Sequence, residues 1–153
     1  MDLQDRVAVV TGAGSGLGRG IALAMAAKGA RVAAVDLDGA SAAETARLLM
    51  GAGGKGVGLQ ADTSSAADVD RAVSAAVGQL GPLDIMVNNA GILDGYFNVD
   101  ETDEAVWSRV IGINLTGVFL GCKRALQEML PRGAGRIINM ASVAGLNGTG
   151  GGA

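Results

Sequence analysis

Thr11-Gly12-Ala13-Gly14-Ser15-Gly16-Leu17-Gly18 follows the apolar run Val7-Ala8-Val9-Val10 and opens an amphipathic stretch that starts near Leu17. A short apolar run, a glycine-rich turn and a helix make the front of a βαβ unit that binds dinucleotides. The glycines let the backbone turn tightly and approach a pyrophosphate with no Cβ in the way. The N–H groups and dipole at a helix N-terminus favour phosphate charge. The pattern G-x-G-x-x-G fails here because Leu17 stands where the third glycine is needed, and no Gly-Lys-Ser/Thr follows to make a P-loop. The pattern G-x-x-x-G-x-G fits at Gly12, Gly16 and Gly18.

Working outward, short apolar runs alternate with helical patterns, the signature of a parallel sheet with crossover helices. Strands are expected at Arg6–Thr11, Arg31–Val35, Gly56–Ala61, Leu83–Val87 and Arg136–Met140. The first helix carries Leu17, Ile21, Ala24, Met25 and Lys28 at helical spacing and stops at Gly29. The second runs from about Ser41 to Met50, with Ala43, Ala46, Leu49 and Met50 inward. The third is capped by Ser64 or Ser65 and buries Val69, Val73, Ala76, Val77 and Leu80. A loop covers Asp94 to Asp103, and the longest helical pattern runs from Asp103 to Leu130 with a bend near Gly112. Met86, Met129 and Met140 read as core fillers, and Cys122 and Trp107 as packing residues. Gly145 to Ala153 reads as an unfinished loop. The expectation is one α/β domain over residues 1–153, a Rossmann-type doubly wound parallel sheet of order 3-2-1-4-5 that is truncated after strand 5. Ligands in such sheets sit at the carboxyl strand ends, near the reversal between strands 1 and 4.

Composition narrows the function. The 153 residues are 49% hydrophobic and 18% charged, enough apolar material for a real core. A net charge of −3 with no basic run argues against nucleic acid and anionic membranes. The single cysteine suits a reducing cytoplasm, the N-terminus is no signal peptide, and no apolar run reaches the ~20 residues of a membrane helix. His is absent, so a general base must be another residue type. No metal site is assigned.

The residues at the strand ends carry the chemistry. Asp36 either accepts from both hydroxyls of an adenosine ribose or is a solvated turn acid. A 2′-phosphate there would meet a like charge, costing about 1–4 kcal/mol at ~4 Å. Ser15 offers no cation for that phosphate, so NAD(H) is favoured over NADP(H). Asp62-Thr63 reaches an adenine edge, forms a helix N-cap box, or does both. Asn88 and Asn89 can tie strand ends together, while Ala90 and Gly91 let a cofactor lie on the backbone. Asn114, in an apolar helical stretch, reads as buried; it either bends the helix and holds a water or bonds a neighbouring carbonyl. Ser142 either aims its hydroxyl at a substrate oxygen or caps a turn.

TGAGSGLG at Thr11–Gly18, Asp36, Asp62, NNAG at Asn88–Gly91, INLTG at Ile113–Gly117 and MASVAG at Met140–Gly145 stand in one order along the whole chain. Together they resemble the N-terminal part of the short-chain dehydrogenase/reductase family. The resemblance implies that Gly12, Ser15, Gly16, Leu17 and Gly18 form the pyrophosphate loop and that Asp36 holds the ribose. It places Asp62 and Thr63 at adenine, and Asn89, Ala90 and Gly91 beside the adenosine. It implies that Asn114 positions a water in a proton relay and that Ser142 bonds the substrate oxygen. Its activity is hydride transfer between nicotinamide and an alcohol or ketone. Family members use a Tyr-x-x-x-Lys pair as acid/base, with the Tyr pKa lowered from ~10. Tyr96, the single tyrosine, has Asp100 four residues on, so the pair is expected just past Ala153. The chain is therefore expected to be the inactive front part of an NAD-dependent oxidoreductase that is a dimer or tetramer when intact. A non-catalytic NAD-binding module and a scaffold without ligand are the alternatives.

Overall fold

The computed structural model describes residues 2–148. Five parallel strands, β1 (Val7–Thr11), β2 (Arg31–Asp36), β3 (Lys55–Gln60), β4 (Leu83–Asn88) and β5 (Arg136–Asn139), lie in the order β3-β2-β1-β4-β5. The expected topology is the observed one, and strand bounds differ from expectation by a residue or so. Helices α1 (Gly16–Ala26), α2 (Gly39–Gly51) and α3 (Ala66–Leu80) make the first three crossovers. The fourth is a long helical stretch: α4 (Glu104–Ile111), a π-helical segment (Gly112–Thr116), α5 (Gly117–Met129) and a 3₁₀ turn (Leu130–Arg132). The irregularity expected near Gly112 is this π segment. A single turn, α6 (Ala144–Asn147), follows β5, so residues 145–147 are helical where a loop was expected. The last part of that glycine-rich stretch, residues 149–153, lies outside the described residues.

The strands alternate their side chains between two cores, as the period of two requires. Ala8, Val10, Val32, Ala34, Ile85 and Val87 face Ala22 of α1 and Leu49 of α2. Val9, Ala33, Val35 and Met86 face Val69, Ala72, Val73 and Ala76 of α3 and Ala125 and Met129 of α5. In α2 the inward face is Ala42, Thr45, Ala46 and Leu49. Ala43 and Met50, expected inward, are exposed, because the apolar stripe of this alanine-rich helix is too weak to fix which face turns inward. Met140 and Trp107 are also exposed rather than packed, one past the end of the edge strand and the other on the outer side of α4. Cys122 is half-buried.

Glu104–Arg132 is a helical stretch of 29 residues, long and apolar enough by length and composition to cross a membrane. It joins apolar runs that the charges at Lys123 and Arg124 keep separate in the sequence. Gly117, Gly121, Ala125 and Met129 turn inward onto the sheet. Gly121 is what lets α5 come this close: a Cβ there would overlap Oδ1 of Asn88. Arg124 bonds Asp70 of α3 at 2.7 Å and Glu128 at 2.8 Å, fastening the two helices. Leu115, Phe119, Leu126 and Leu130 are exposed on its outer side.

At the amino ends of the strands, Asp84 sits where the β1–β4 register skips a residue, Val7 pairing Leu83 and Ala8 pairing Ile85. Its carboxylate accepts the Val7 N–H at 3.0 Å and the Arg132 guanidinium at 2.7 Å. Burial pushes this carboxyl up, but the Val7 N–H, Arg132 and the more distant Arg6 outweigh burial and hold it below its ordinary range. Such a group stabilises the fold fully above the ordinary carboxylate pKa of about 4 and loses that contribution as the pH falls through its depressed folded value. Asp84→Asn is expected to cost about 1–3 kcal/mol at pH 7 and much less at about pH 3. Urea unfolding at the two pH values checks this; an equal deficit at both would contradict it.

Candidate functional site

The carboxyl ends of β1 and β4 are held together by a knot of backbone and side-chain bonds. The Thr11 hydroxyl, at the last position of β1, accepts the N–H groups of Asn89 and Ala90, each at 3.0 Å, and donates to the Val87 carbonyl at 3.3 Å. Asn89 Nδ2 donates to the Thr11 carbonyl at 2.8 Å and reaches that of Gly12 at 3.4 Å. On the other side of β4, Asn88 Nδ2 donates to Asn139 Oδ1 of β5 at 2.8 Å. The two asparagines thus tie three strand ends together, one amide to each neighbour.

The glycine loop follows from this packing. Gly12 has φ +63, and a Cβ there would come within 2.9 Å of Ala90 Cα. A Cβ on Gly18 would overlap the Gly12 carbonyl, so α1 can start this close to β1 only with glycine at both places. Gly14 donates its N–H to Asp36 Oδ2 at 2.8 Å, and Asp38 donates its N–H to Asp36 Oδ1 at 3.0 Å. Each Asp36 oxygen therefore carries one protein bond and keeps lone-pair capacity for another donor. Ser15 starts α1 without a side-chain cap, and the first turn carries no acid. That helix end is left as a positive dipole with no anionic partner from its own sequence.

Asp62 closes the next wall. Its Oδ1 accepts both the N–H, at 2.8 Å, and the hydroxyl, at 2.6 Å, of Ser64. The N-cap of α3 is Ser65, whose Oγ accepts the Asp68 N–H at 3.3 Å. Asp68 is held below the ordinary carboxylate range first by the Asp62 N–H and then by Arg71. The capping reading of this segment and an outward ligand contact from Asp62 and Thr63 are compatible, since both residues border the same open space.

That space is a cleft of about 830 Å³. Gly12, Ser15, Gly16, Leu17, Gly18, Asp36, Asp62, Thr63, Asn89, Ala90 and Gly91 all line it. Every position singled out for cofactor contact is therefore on one wall or another of a single cleft, of the size ligand sites take. Leu17, placed on the amphipathic stripe by its spacing, is exposed and borders this cleft rather than the core. Ile113, Met140 and Ala141, which belong to the INLTG and MASVAG stretches but were given no ligand role, also line it, as do Leu93 and Arg109, single residues outside any motif that carry no signal of their own.

Asn114 and Ser142 are not among the residues that line the cleft. Asn114 is exposed rather than buried, because it lies on the π segment, which turns it off the inward stripe. Its Oδ1 accepts the Ile92 N–H at 2.9 Å and its Nδ2 donates to the Ile92 carbonyl at 2.8 Å. It thus bonds a carbonyl, as one alternative held, but in a two-way clamp on the chain segment that leaves β4. The Ser142 hydroxyl accepts the Ala144 N–H at 3.2 Å, the turn-capping role, and keeps its own hydrogen for an acceptor. It follows directly on Ala141, which lines the cleft.

A family model described as short chain dehydrogenase matches residues 6–153. The chain is 43% identical over 146 residues to 2-(S)-hydroxypropyl-CoM dehydrogenase 3 of Xanthobacter autotrophicus, covering 95% of this chain and 57% of that protein. It is 43% identical over 142 residues to D-threitol dehydrogenase of Mycolicibacterium smegmatis, covering 93% and 54%. It is 39% identical over 148 residues to an uncharacterized oxidoreductase of Thermotoga maritima, covering 97% and 58%. The chain thus spans little more than half the length of these relatives.

The Thr11 knot makes a sharp expectation. Thr11→Val leaves two N–H groups without an acceptor and should destabilise the chain by about 2–4 kcal/mol, whereas Thr11→Ser should cost about 1 kcal/mol or less. Urea unfolding of both variants checks it, and equal losses would mean that packing of the methyl group, not the hydroxyl, matters here.

Proposed function

The chain belongs to the short-chain dehydrogenase/reductase family, and from that premise we propose that it forms the NAD(H)-binding part of an oxidoreductase acting on a small alcohol or ketone. The observation that carries the reading is the convergence of an uncapped helix N-terminus, a glycine loop closed by Ala90, and the Asp36 carboxylate on one cleft. The residues fit a dinucleotide in order. The start of α1 suits a pyrophosphate, because its N–H groups and dipole meet no anion of its own. Asp36 holds two ribose hydroxyls with the lone pairs its backbone partners leave, and repels a 2′-phosphate. Thr63 and Asp62 border adenine.

When bound, the dinucleotide would supply or accept a hydride at its nicotinamide ring. Ser142 donates its hydroxyl hydrogen to the substrate oxygen, and the Asn114 clamp on Ile92 keeps the neighbouring wall in place. In relatives of this kind a Tyr-x-x-x-Lys pair moves the proton. Tyr96 does not match it, since it lies exposed on a loop and Asp100 stands where the Lys belongs. These 153 residues carry no such pair, so cofactor binding without turnover is the expected behaviour of this chain by itself.

Titration of NADH and NADPH fluorescence tests the reading. NADH should bind at least about tenfold more tightly than NADPH, and Asp36→Ala should weaken NADH by about 10–100-fold while narrowing the gap. Mixing the bound chain with a range of small ketones should leave the NADH absorbance unchanged. Equal affinity for the two nucleotides would overturn the cofactor assignment, and steady NADH oxidation would overturn the expected lack of turnover.

A further inference from the structure

Thr45 is fully buried on α2 among Ala42, Ala46 and Leu49, a place where packing alone would favour another apolar side chain. A hydroxyl is kept at such a site at a cost unless it is bonded. It donates to the Ala13 carbonyl at 2.8 Å, with the Ser41 carbonyl as a second acceptor at 3.1 Å. It also accepts Arg19 Nε at 2.9 Å. Arg19 in turn donates through Nη2 to the Gly14 carbonyl. Two successive loop carbonyls are thus drawn by one pair that spans α1 and α2, a buried Thr45 and a half-buried Arg19.

We infer that Thr45 and Arg19 are positioning residues for the glycine loop, setting the orientation of its peptides for a pyrophosphate. The inference rests on the dinucleotide reading above. In a trans peptide the N–H faces away from the carbonyl. Holding the Ala13 carbonyl toward Thr45 therefore directs the Gly14 N–H away, and that N–H does meet Asp36. Holding the Gly14 carbonyl toward Arg19 turns the Ser15 N–H away from the guanidinium, and Ser15 lines the cleft. Arginine is electrostatically disfavoured in the first turn of a helix, where the dipole is already positive. Here the Gly14 carbonyl and the Thr45 hydroxyl hold it in place. Its charge also adds to the field an anion meets at that helix end.

The test uses the whole chain with NADH and with adenosine, which lacks the pyrophosphate, as a competitor for the same cleft. Thr45→Val should weaken NADH by about 5–10-fold and adenosine by less than about twofold, and Thr45→Ser should restore NADH binding. Arg19→Gln should weaken NADH in the same selective way, and the double variant should be no weaker than the worse single one. Should Thr45→Val not fold by circular dichroism, the half-exposed Arg19 position decides alone. NADH affinity unchanged in Arg19→Gln, a Thr45→Ser loss equal to that of Thr45→Val, or an equal loss for adenosine overturns the inference while the cofactor reading stands. A native chain that binds neither NADH nor adenosine overturns both.

Discussion

One hydroxyl, that of Thr11, holds the sheet together where its two halves diverge. Chains that wind both ways from a first strand must open a crevice at the carboxyl ends, because the crossovers after β1 and β4 leave in opposite directions. The crevice is useful only if β1 and β4 stay in register beneath it. Thr11 does this by accepting two successive N–H groups from the chain leaving β4, and Asn89 returns two bonds to the chain leaving β1. Without these bonds the Gly12 backbone would have no fixed distance from Ala90, and the loop would have no floor.

The rest of the cleft is built outward from that floor by the same economy. Where backbones must pass closely, glycine stands: Gly12 against Ala90, Gly18 against the Gly12 carbonyl, Gly121 against Asn88. Several polar groups near these close passes are answered by a neighbouring residue. Asp36 answers Gly14 and Asp38, and Asn114 answers both groups of Ile92. Walls already fixed in place lose little freedom when a ligand binds, which favours affinity.

Sheet order and the cleft residues were legible because the sequence marks them twice, by the change from strand to helix period and by small or polar residues at each strand end. Thr11 belongs to the quoted stretch, yet its role was hidden, since a threonine ending a β strand reads as ordinary propensity. Arg19 and Thr45 were invisible for a similar reason: each is a single residue whose partner lies on another helix. Asn114 misled because a polar residue among apolar neighbours reads as buried only if the helix keeps its 3.6 period, and the π segment does not. The faces of α2 were misassigned at Ala43 and Met50 because an alanine-rich helix has too weak a stripe to fix its rotation. Ser142 could not be settled by pattern, since capping and substrate contact demand the same residue at the same strand end.

A dinucleotide is proposed to lie across the carboxyl ends of β1 and β4. The most direct measurement is the change in backbone amide NMR shifts on adding NADH to the isotope-labelled chain. Large shifts are expected at Ser15, Gly16, Leu17, Asn89, Ala90 and Gly91, with little change at the opposite strand ends near Asp84 and Arg31. Shifts confined to the opposite end, or scattered without a focus, would contradict the placement of the site.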